Sequence, residues 1–398
     1  VAPAFRLVGG LVYGGSIYTG GIGTLLTSFL NSRERGKDIQ NICLQCGTCN
    51  TVCGGKLDIA GMILKLRTKF AQEDGLNPVH KFCLDTVADR HLFHSMLRIA
   101  SVAQGMITKG QPMIRHLPMF LSGLTAGRSL PSVAPQPFRD ILPTIKQDVP
   151  NPKGKIAIFT GCLLDFVYVD IATDVVKALN MAGYIVEMPL GQACCGAPAT
   201  YMGDVENAKK AAEMNLNAME AEKYDYIVSA CPTCTHALRD YVDFFKDDPE
   251  MLKKAEALRS KTFDFCKLVS MLGGLPDTGD GVPMKVTYHD SCHLNRYLGV
   301  TKEQRELLKA TKGVELIEMH DCDKCCGFGG SYSVKFPEMS APILEEKINN
   351  IVASGADVVA VDCPGCLLQI RGGLDARGLN NIQVKHTAQI VVEKREKK

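Results

Sequence analysis

Short runs of apolar residues alternate with longer amphipathic stretches from residue 154 onward. Contiguous apolar runs are typical of buried strands, whereas apolar residues spaced three and four apart indicate helices. The runs lie at Lys155–Phe159, Tyr184–Met188 and Tyr226–Ser229, with helical patterns at Asp170–Ala182 and Asp204–Lys223. Strands that alternate with helices in this way predict βαβ units and a parallel sheet.

The same order of elements occurs again toward the C-terminus. The predicted strands are Val286–His289, Val314–Glu318 and Val358–Val361, and Pro337–Ser354 is predicted as a helix. A segment rich in Gly, Pro and Asp at Gly273–Pro283 separates the two series. We therefore predict an α/β fold with two tandem domains at residues 154–272 and 284–398.

The chain before these domains has a helical pattern. Apolar residues recur at helical spacing over Asp58–Arg67, and amphipathic stretches run from His91 to Leu124. We predict that the apolar face of the second stretch is buried, either as core or against a partner. Binding to a membrane surface is the alternative interpretation. The residues of this face are Leu92, Met96, Leu97 and Ile99. Six prolines from Pro131 to Pro152 are typical of a linker. We place a mainly helical domain at 1–130 and a linker at 131–153.

Residues 7–30 carry no charge, so a membrane span has to be considered. Seven glycines in this stretch lower its hydrophobicity and predict irregular backbone instead. The chain begins with Val1, which we interpret as a mature start or as a piece of a longer polypeptide, and no signal-peptide pattern is evident. The net charge of +2 lacks the basic excess of nucleic-acid-binding proteins.

Cysteines give the chain its most specific signal. Each predicted α/β domain carries the same set of five, and matching cysteines are 130 to 132 residues apart, which indicates an internal repeat. Each group follows the carboxyl end of a predicted strand, where open α/β sheets bind their ligands. The two sets are Cys162, Cys194, Cys195, Cys231 and Cys234, and Cys292, Cys325, Cys326, Cys363 and Cys366.

A third group, Cys43, Cys46, Cys49 and Cys53, has the C-x2-C-x2-C-x3-C spacing of bacterial ferredoxins, in which thiolates hold an iron–sulfur cluster. Closely spaced thiols in a long aliphatic chain favour metal ligands in a reducing cytoplasm over disulfides.

A four-iron cluster needs four terminal ligands, so each set of five has one thiolate in excess. That thiolate can be a spare, a reactive group beside a cubane, or a bridge within an open, non-cubane cluster. Structural zinc is the alternative metal, but its four ligands leave the fifth cysteine unexplained in both copies.

Several other residues are weaker candidates. His236, His289, His293 and His320 lie near the cysteines in sequence and could orient a thiolate or move a proton, although lone histidines are more often structural. We predict that Cys83 and Cys266 are buried, inert thiols. Cys322, three residues before Cys325, could have an auxiliary role.

The segments Cys194-Cys195-Gly196 and Cys231-Pro-Thr-Cys234, with Cys162 and the second-copy counterparts, resemble the CCG-domain family over roughly residues 154–370. That family includes the CCG-containing component of heterodisulfide reductase, the iron–sulfur subunits of glycolate oxidase and anaerobic glycerol-3-phosphate dehydrogenase, and lactate-utilisation iron–sulfur proteins. The segments Phe5–Gly14, Tyr18–Gly23 and Cys43–Ile59 resemble the C-terminal part of the B-type lactate-utilisation subunit, whereas the repeats resemble the A-type subunit. The resemblance implies a fusion of the two, with [4Fe-4S] clusters that are cubane or non-cubane in the repeats.

The N-terminal region departs from the family pattern. A second ferredoxin motif that ends in Cys-Pro precedes this point in the family, but here Ala2-Pro3 stands in its place, and Gly54 replaces the proline after the last cysteine. In two-cluster ferredoxins the fourth cysteine ligates the other cluster. Cys53 could therefore complete the local cluster, serve an upstream one or be idle, and a [3Fe-4S] cluster is a further alternative.

The resemblance implies an electron-transfer subunit of a dehydrogenase complex that oxidises a 2-hydroxy acid, with lactate first. Electrons would pass to a quinone, cytochrome or soluble carrier. The implied partners are a dehydrogenase or flavoprotein subunit and an electron acceptor, in the cytoplasm or at the cytoplasmic face of a membrane. The alternatives are a heterodisulfide-reductase-like enzyme that reduces a disulfide at a CCG-bound cluster, and a scaffold with structural metal. We expect each repeat to bind its own cluster.

Overall fold

Two four-stranded parallel sheets, one in each repeat, organise the chain. The computed structural model describes residues 2–13, 20–108, 113–114, 128–276 and 281–396. Two short strands before the repeats, β1 (Met113–Ile114) and β2 (Leu130–Pro131), pair antiparallel. In the first repeat the strands are β3 (Gly154–Ile158), β4 (Tyr184–Glu187), β5 (Tyr226–Ser229) and β6 (Thr262–Asp264), and their order is β4-β3-β5-β6.

The second repeat has the same topology. Its strands are β7 (Met284–His289), β8 (Val314–Leu316), β9 (Val358–Val361) and β10 (Gln383–Lys385), in the order β10-β9-β7-β8. β7 and β3 are the equivalent inner strands, and each pairs in parallel with two neighbours. The predicted α/β class with two tandem parallel-sheet repeats is confirmed.

Helices make up the N-terminal region and surround the sheets. Those before the first repeat are α1 (Pro3–Val12), α2 (Gly20–Leu30), α3 (Arg33–Asn41), α4 (Thr48–Val52), α5 (Ile59–Asp74), α6 (Pro78–Ala88), α7 (Arg90–Thr108) and α8 (Phe138–Ile141). The first repeat contains α9 (Leu163–Phe166), α10 (Val169–Met181), α11 (Ala197–Met202), α12 (Val205–Met219), α13 (Pro232–Asp240), α14 (Pro249–Lys261) and α15 (Phe265–Met271). The second contains α16 (Glu303–Lys309), α17 (Tyr332–Lys335), α18 (Pro337–Ser354), α19 (Pro364–Ala376) and α20 (Thr387–Glu393).

The repeats share one hydrophobic core. Val176 of α10 and Val391 of α20 are both fully buried in a cluster that draws residues from both sheets. Phe138 and Leu142, within the proline-rich segment, belong to the same cluster. The segment predicted as a linker therefore packs along the first repeat.

The structure corrects two expectations for the N-terminal region. The uncharged stretch 7–30 contains helices α1 and α2 rather than irregular backbone, apart from a break at Gly9, whose φ is 76°; residues 14–19 lie outside the described ranges. On α7, Leu92, Met96 and Ile99 are 47%, 48% and 68% exposed, so they do not form core, and the docking face stays a prediction. Across the described ranges, every helix is too short or too polar to span a membrane.

Candidate iron–sulfur site

The ten cysteines of the two repeats form one continuous row of side chains along one cavity, in which each thiol interacts with the next. Its order is Cys162, Cys194, Cys195, Cys234, Cys231, Cys363, Cys366, Cys326, Cys325 and Cys292. The second half repeats the first in reverse. Cys231 and its counterpart Cys363 consequently meet at the centre, and the two repeats face each other head to head.

Secondary structure fixes the CxxC pairs at the centre of this row. Cys231 follows the end of β5 and is the N-cap of α13, and Cys363 holds the same position between β9 and α19. Pro232 and Pro364 occupy the first helical turn, where the fixed φ of proline suits the helix and its missing N–H is not needed. The last thiol of each pair therefore lies in the first turn of a helix, but neighbouring thiols and burial hold the pKa of Cys234 and Cys366 well above its usual value.

A glycine after each doublet lets the chain turn tightly against the next helix. Gly196 and Gly327 have φ values of 79° and 86°, a region that side-chain-bearing residues rarely adopt. A Cβ at Gly327 would lie 2.8 Å from the backbone oxygen of Ser340 on α18, and one at Gly196 would lie 3.3 Å from that of Ala208 on α12. The C-C-G order thus places both doublets against equivalent helices.

Replacing Gly327 with alanine should destabilise the protein. The positive φ costs about 1–2 kcal/mol, and the contact with backbone adds about 1–3 kcal/mol of overpacking. Gly378→Ala is the matched control, because Gly378 has a φ of 70° but open space around its Cβ position. We expect a lower melting temperature for Gly327→Ala than for Gly378→Ala; equal values would show that the doublet is not packed as described.

The ferredoxin-type group adjoins the second repeat. Cys43 and Cys46 are buried, and Cys46 lies near Cys292 at the end of the row. Tyr297 donates a hydrogen bond from its hydroxyl to the Gln45 carbonyl at 2.9 Å, which ties this loop to the second repeat. Cys49 lies near Cys43 and Cys46, so three of the four predicted thiols come together.

Cys49 and Cys53 are less enclosed than the first two members of the motif. Both are partly exposed, and neither is among the residues that line the cavity described next. The role of Cys53 as a fourth ligand stays a prediction.

A single cavity of about 820 Å³ joins the three groups of thiols. Twelve cysteines line it, comprising the ten of the row together with Cys43 and Cys46. The lining contains no Asp or Glu among the described residues, whereas Arg67 and Lys335 both border it. The cavity is therefore rich in soft sulfur donors and bordered by cations, which suits anionic thiolate-bound metal.

The second cysteine of each doublet has a lowered pKa. A hydrogen bond from Cys194 holds the pKa of Cys195 well below its usual value, and one from Cys325 lowers the pKa of Cys326 to about 5. By contrast, the hydrogen bond with Cys194 and burial together hold the pKa of Cys162 well above the usual range. Each copy thus presents a ready thiolate at this position, and the second copy has another at Cys363, whose pKa the Cys231 and Cys366 thiols hold well below its usual value. Metal binding requires thiolates of this kind.

The residues present fit iron–sulfur clusters. All seventeen cysteines are free thiols. A ring nitrogen of His289 and the sulfurs of Cys326 and Cys366 lie within 4.8 Å of one another, close enough to share a metal ion. The residues that would hold clusters are the five thiols of each copy and, in the N-terminal region, Cys43, Cys46 and Cys49.

The candidate histidines have different surroundings. His289 is fully buried, and its two ring nitrogens have no hydrogen-bond partner among the described residues. His293 Nε2 lies 2.7 Å from the Tyr201 hydroxyl, and its ring stacks on that of Tyr297. His236 lies 3.1 Å from the Asp240 carboxylate. His320 has 77% of its side chain exposed and does not line the cavity.

The cysteines outside the motifs also differ. Cys266 is buried, as predicted, but Cys83 is exposed, so that prediction is wrong. Cys83 lies on α6 beside exposed Phe82, and an apolar helix face without a covering element leaves it in solvent. Cys322 is partly buried, and its sulfur accepts from Arg305 at 3.6 Å.

Sequence reasoning missed the buried cations behind the second copy. Lys347 on α18 is 1% exposed and donates to the carbonyls of Asp321 and Cys322. Arg296 donates to the Cys46 carbonyl at 3.3 Å. Both lie near the second-copy thiols. Lys347 falls on the apolar face of an amphipathic helix. A lysine at such a position is the sequence feature from which its burial could have been predicted.

Comparison with known proteins agrees with this architecture. The profile of the CCG cysteine-rich domain matches residues 156–239 and 286–371. Lactate utilization protein A of Shouchella clausii is 39% identical over 240 residues, which cover 60% of this chain and 99% of that protein. The Bacillus subtilis protein of that name is 36% identical, with 60% and 98% covered. The probable glycolate oxidase iron–sulfur subunit of B. subtilis is 31% identical over 375 residues, which cover 90% of this chain and 84% of that protein.

Proposed function

The chain belongs to the family of CCG cysteine-rich domain proteins, and we propose that it is an iron–sulfur subunit of a system that oxidises a hydroxy acid. The observation that carries the proposal is the row of ten thiols along one cavity, nine of them buried and Cys162 partly buried. Relatives described as lactate utilization protein A and as a glycolate oxidase iron–sulfur subunit support the hydroxy-acid class. Iron–sulfur clusters, when bound, accept and release single electrons.

We propose lactate as the hydroxy acid, because the relatives that match 98–99% of their own length are lactate utilization proteins. The electrons would leave to a quinone, cytochrome or soluble carrier. The protein would take its electrons from a dehydrogenase or flavoprotein subunit in the cytoplasm or at the cytoplasmic face of a membrane. The chain's own role is to hold the clusters apart from water and close to one another, which its buried row of thiols suits.

The proposed ligands follow the row. Each copy would hold one four-iron cluster with its five thiols. A third cluster would be held by Cys43, Cys46 and Cys49, with Cys53 as the candidate fourth ligand. The fifth thiol of each copy supports a non-cubane cluster, because it lies within the row beside the other four and not apart from them. The [4Fe-4S] type in all three sites, with [3Fe-4S] as the alternative at the ferredoxin-type site, is part of this proposal.

One observation favours a second function, disulfide reduction. The cavity continues past the thiols to Asn77, His80, Ser331 and Lys335, which are not part of any cysteine group. Space of this kind admits a small molecule to the thiols, whereas an electron relay alone does not require it. A heterodisulfide-reductase-like activity at a CCG-bound cluster is therefore the alternative.

The first experiment is anaerobic purification of the full chain, with iron and sulfide analysis and electron paramagnetic resonance spectra. We expect iron and acid-labile sulfide together, with signals that disappear and return on oxidation and reduction. Zinc in place of iron would contradict the proposal. Reduction of the clusters by lactate only when a partner dehydrogenase is added would support the electron-transfer role, and disulfide reduction by the isolated chain would favour the alternative.

A further inference from the structure

The two repeats have the same thiols but different surroundings, and the glycine contacts allow the two to be compared position by position. Gly196 packs on Ala208 of α12, and Gly327 packs in the same way on Ser340 of α18. These contacts align the two helices with an offset of 132 residues. Under that alignment, Lys347 occupies in the second copy the position of Asn215 in the first.

Asn215 and Lys347 are both buried behind the doublets but differ in charge. The Asn215 amide receives the Ala193 N–H, and its own N–H group donates to the Cys194 carbonyl and the Tyr241 hydroxyl. Lys347 donates to the carbonyls of Asp321 and Cys322 and lies near Cys325 and Cys326. The second copy thus has an ammonium group where the first has a neutral amide.

A second pair of positions shows the same difference. Phe159 precedes Cys162 by three residues, and His289 precedes Cys292 by three. Both side chains are fully buried. The His289 ring lies near Cys326 and Cys366 with unpartnered nitrogens, whereas the phenyl ring of Phe159 has no polar atom to offer. The second copy consequently has a polar donor that the first copy lacks.

Other cations near the second copy have different partners. Arg296 stands at the position of Phe166 but pairs with Asp323 at 3.1 Å. Arg128 lies over the Phe328 ring and donates to Gln369. Lys347 and His289 are the two residues near the second-copy thiols whose positions are occupied in the first copy by a neutral amide and a phenyl ring.

We propose that the second repeat holds its cluster at a higher reduction potential than the first, and that Lys347 and His289 produce this difference. Reduction adds negative charge, so a buried cation stabilises the reduced form. Hydrogen bonds to cluster sulfurs act in the same direction. Electrons within the chain then favour the second repeat, which adjoins the ferredoxin-type group through Cys46. This inference rests on the proposed iron–sulfur function.

The test is a redox titration of the purified, cluster-containing chain, followed by electron paramagnetic resonance. We expect two different potentials for the repeats in the unmodified chain. Lys347→Asn and His289→Phe each give the second copy the residue of the first. Each should lower the higher potential and leave the lower one unchanged. The expected shift is at least tenfold in the oxidised-to-reduced ratio at fixed ambient potential, which equals about 59 mV for one electron.

Two controls separate charge from general disturbance. Lys347→Arg keeps the charge and should keep the potential near that of the unmodified chain, and it also tests the position should Lys347→Asn fail to fold. Lys312→Asn removes an exposed lysine outside the cavity and should change neither potential. Equal potentials in the unmodified chain, or potentials unmoved by both Lys347→Asn and His289→Phe, would overturn the inference. Absence of iron would instead overturn the proposed function.

Discussion

A chain in which Cys194 and Cys195 are both replaced by serine should lose the iron of the first repeat and retain that of the second. These residues provide two of the five first-copy thiols, including the one whose pKa is held lowest by its neighbour. Serine is a hard and weakly acidic donor, so it replaces a thiolate poorly as an iron ligand. Iron analysis together with electron paramagnetic resonance spectra measures the loss, which we expect to be nearly complete for that copy.

Cys266→Ser is the matched control, because Cys266 is a fully buried cysteine outside the row. It should leave the iron content unchanged. The contact of Cys231 with Cys363 makes the outcome informative, since independent sites and a single shared site predict different results. Loss of iron from both copies of the doublet variant, with circular dichroism unchanged, would show that the repeats do not bind independently.

Replacing Ile99 and Val102 on α7 with glutamate should abolish association with the dehydrogenase partner. These side chains are 68% and 79% exposed, on the same helix as exposed Leu92 and Met96. Exposed apolar stripes of this kind mark interaction surfaces. The sequence from Arg90 to Arg139 contains six Lys and Arg residues and no Asp or Glu. We therefore expect the partner to have an apolar surface with an acidic rim, which two new carboxylates would repel.

Co-purification of tagged chain with the dehydrogenase, followed by lactate-dependent reduction of the clusters, measures this effect. Val352→Glu is the control, because Val352 is 44% exposed on α18. Iron content and the melting temperature should be unchanged in all variants. Retention of the partner by the α7 variant would exclude this face as the docking surface, and binding to anionic lipid vesicles in place of a protein would favour the membrane-surface reading.

Local sequence patterns predicted the inner strands well because buried parallel strands are short apolar runs. The predicted helix Pro337–Ser354 and strand Val358–Val361 agree with the structure at both ends. The edge strands β6 and β10 have three residues each and were not predicted. Segments this short have too few residues for a periodicity to stand out.

The cysteine motifs predicted which thiols belong together, but not how the repeats face each other. Spacing within a repeat is a local property, whereas the contact of Cys231 with Cys363 depends on packing between two sheets. The exposure of Leu92 and Ile99 was also missed, because helical periodicity identifies an apolar face without showing whether anything covers it. The special position of His289 among four candidate histidines likewise required the structure.

The head-to-head order of the thiol row has a consequence for how the sequence of such a molecule can evolve. Two identical one-repeat chains related by a two-fold axis would form the same symmetric row, with equivalent cysteines meeting at the axis. In that assembly every substitution enters both halves at once. Joining the halves in one polypeptide removes this restriction, so Lys347 could replace an amide on one side only. Duplication within one polypeptide thus allows the two halves of a symmetric scaffold to differ, which gives electron transfer between them a preferred direction.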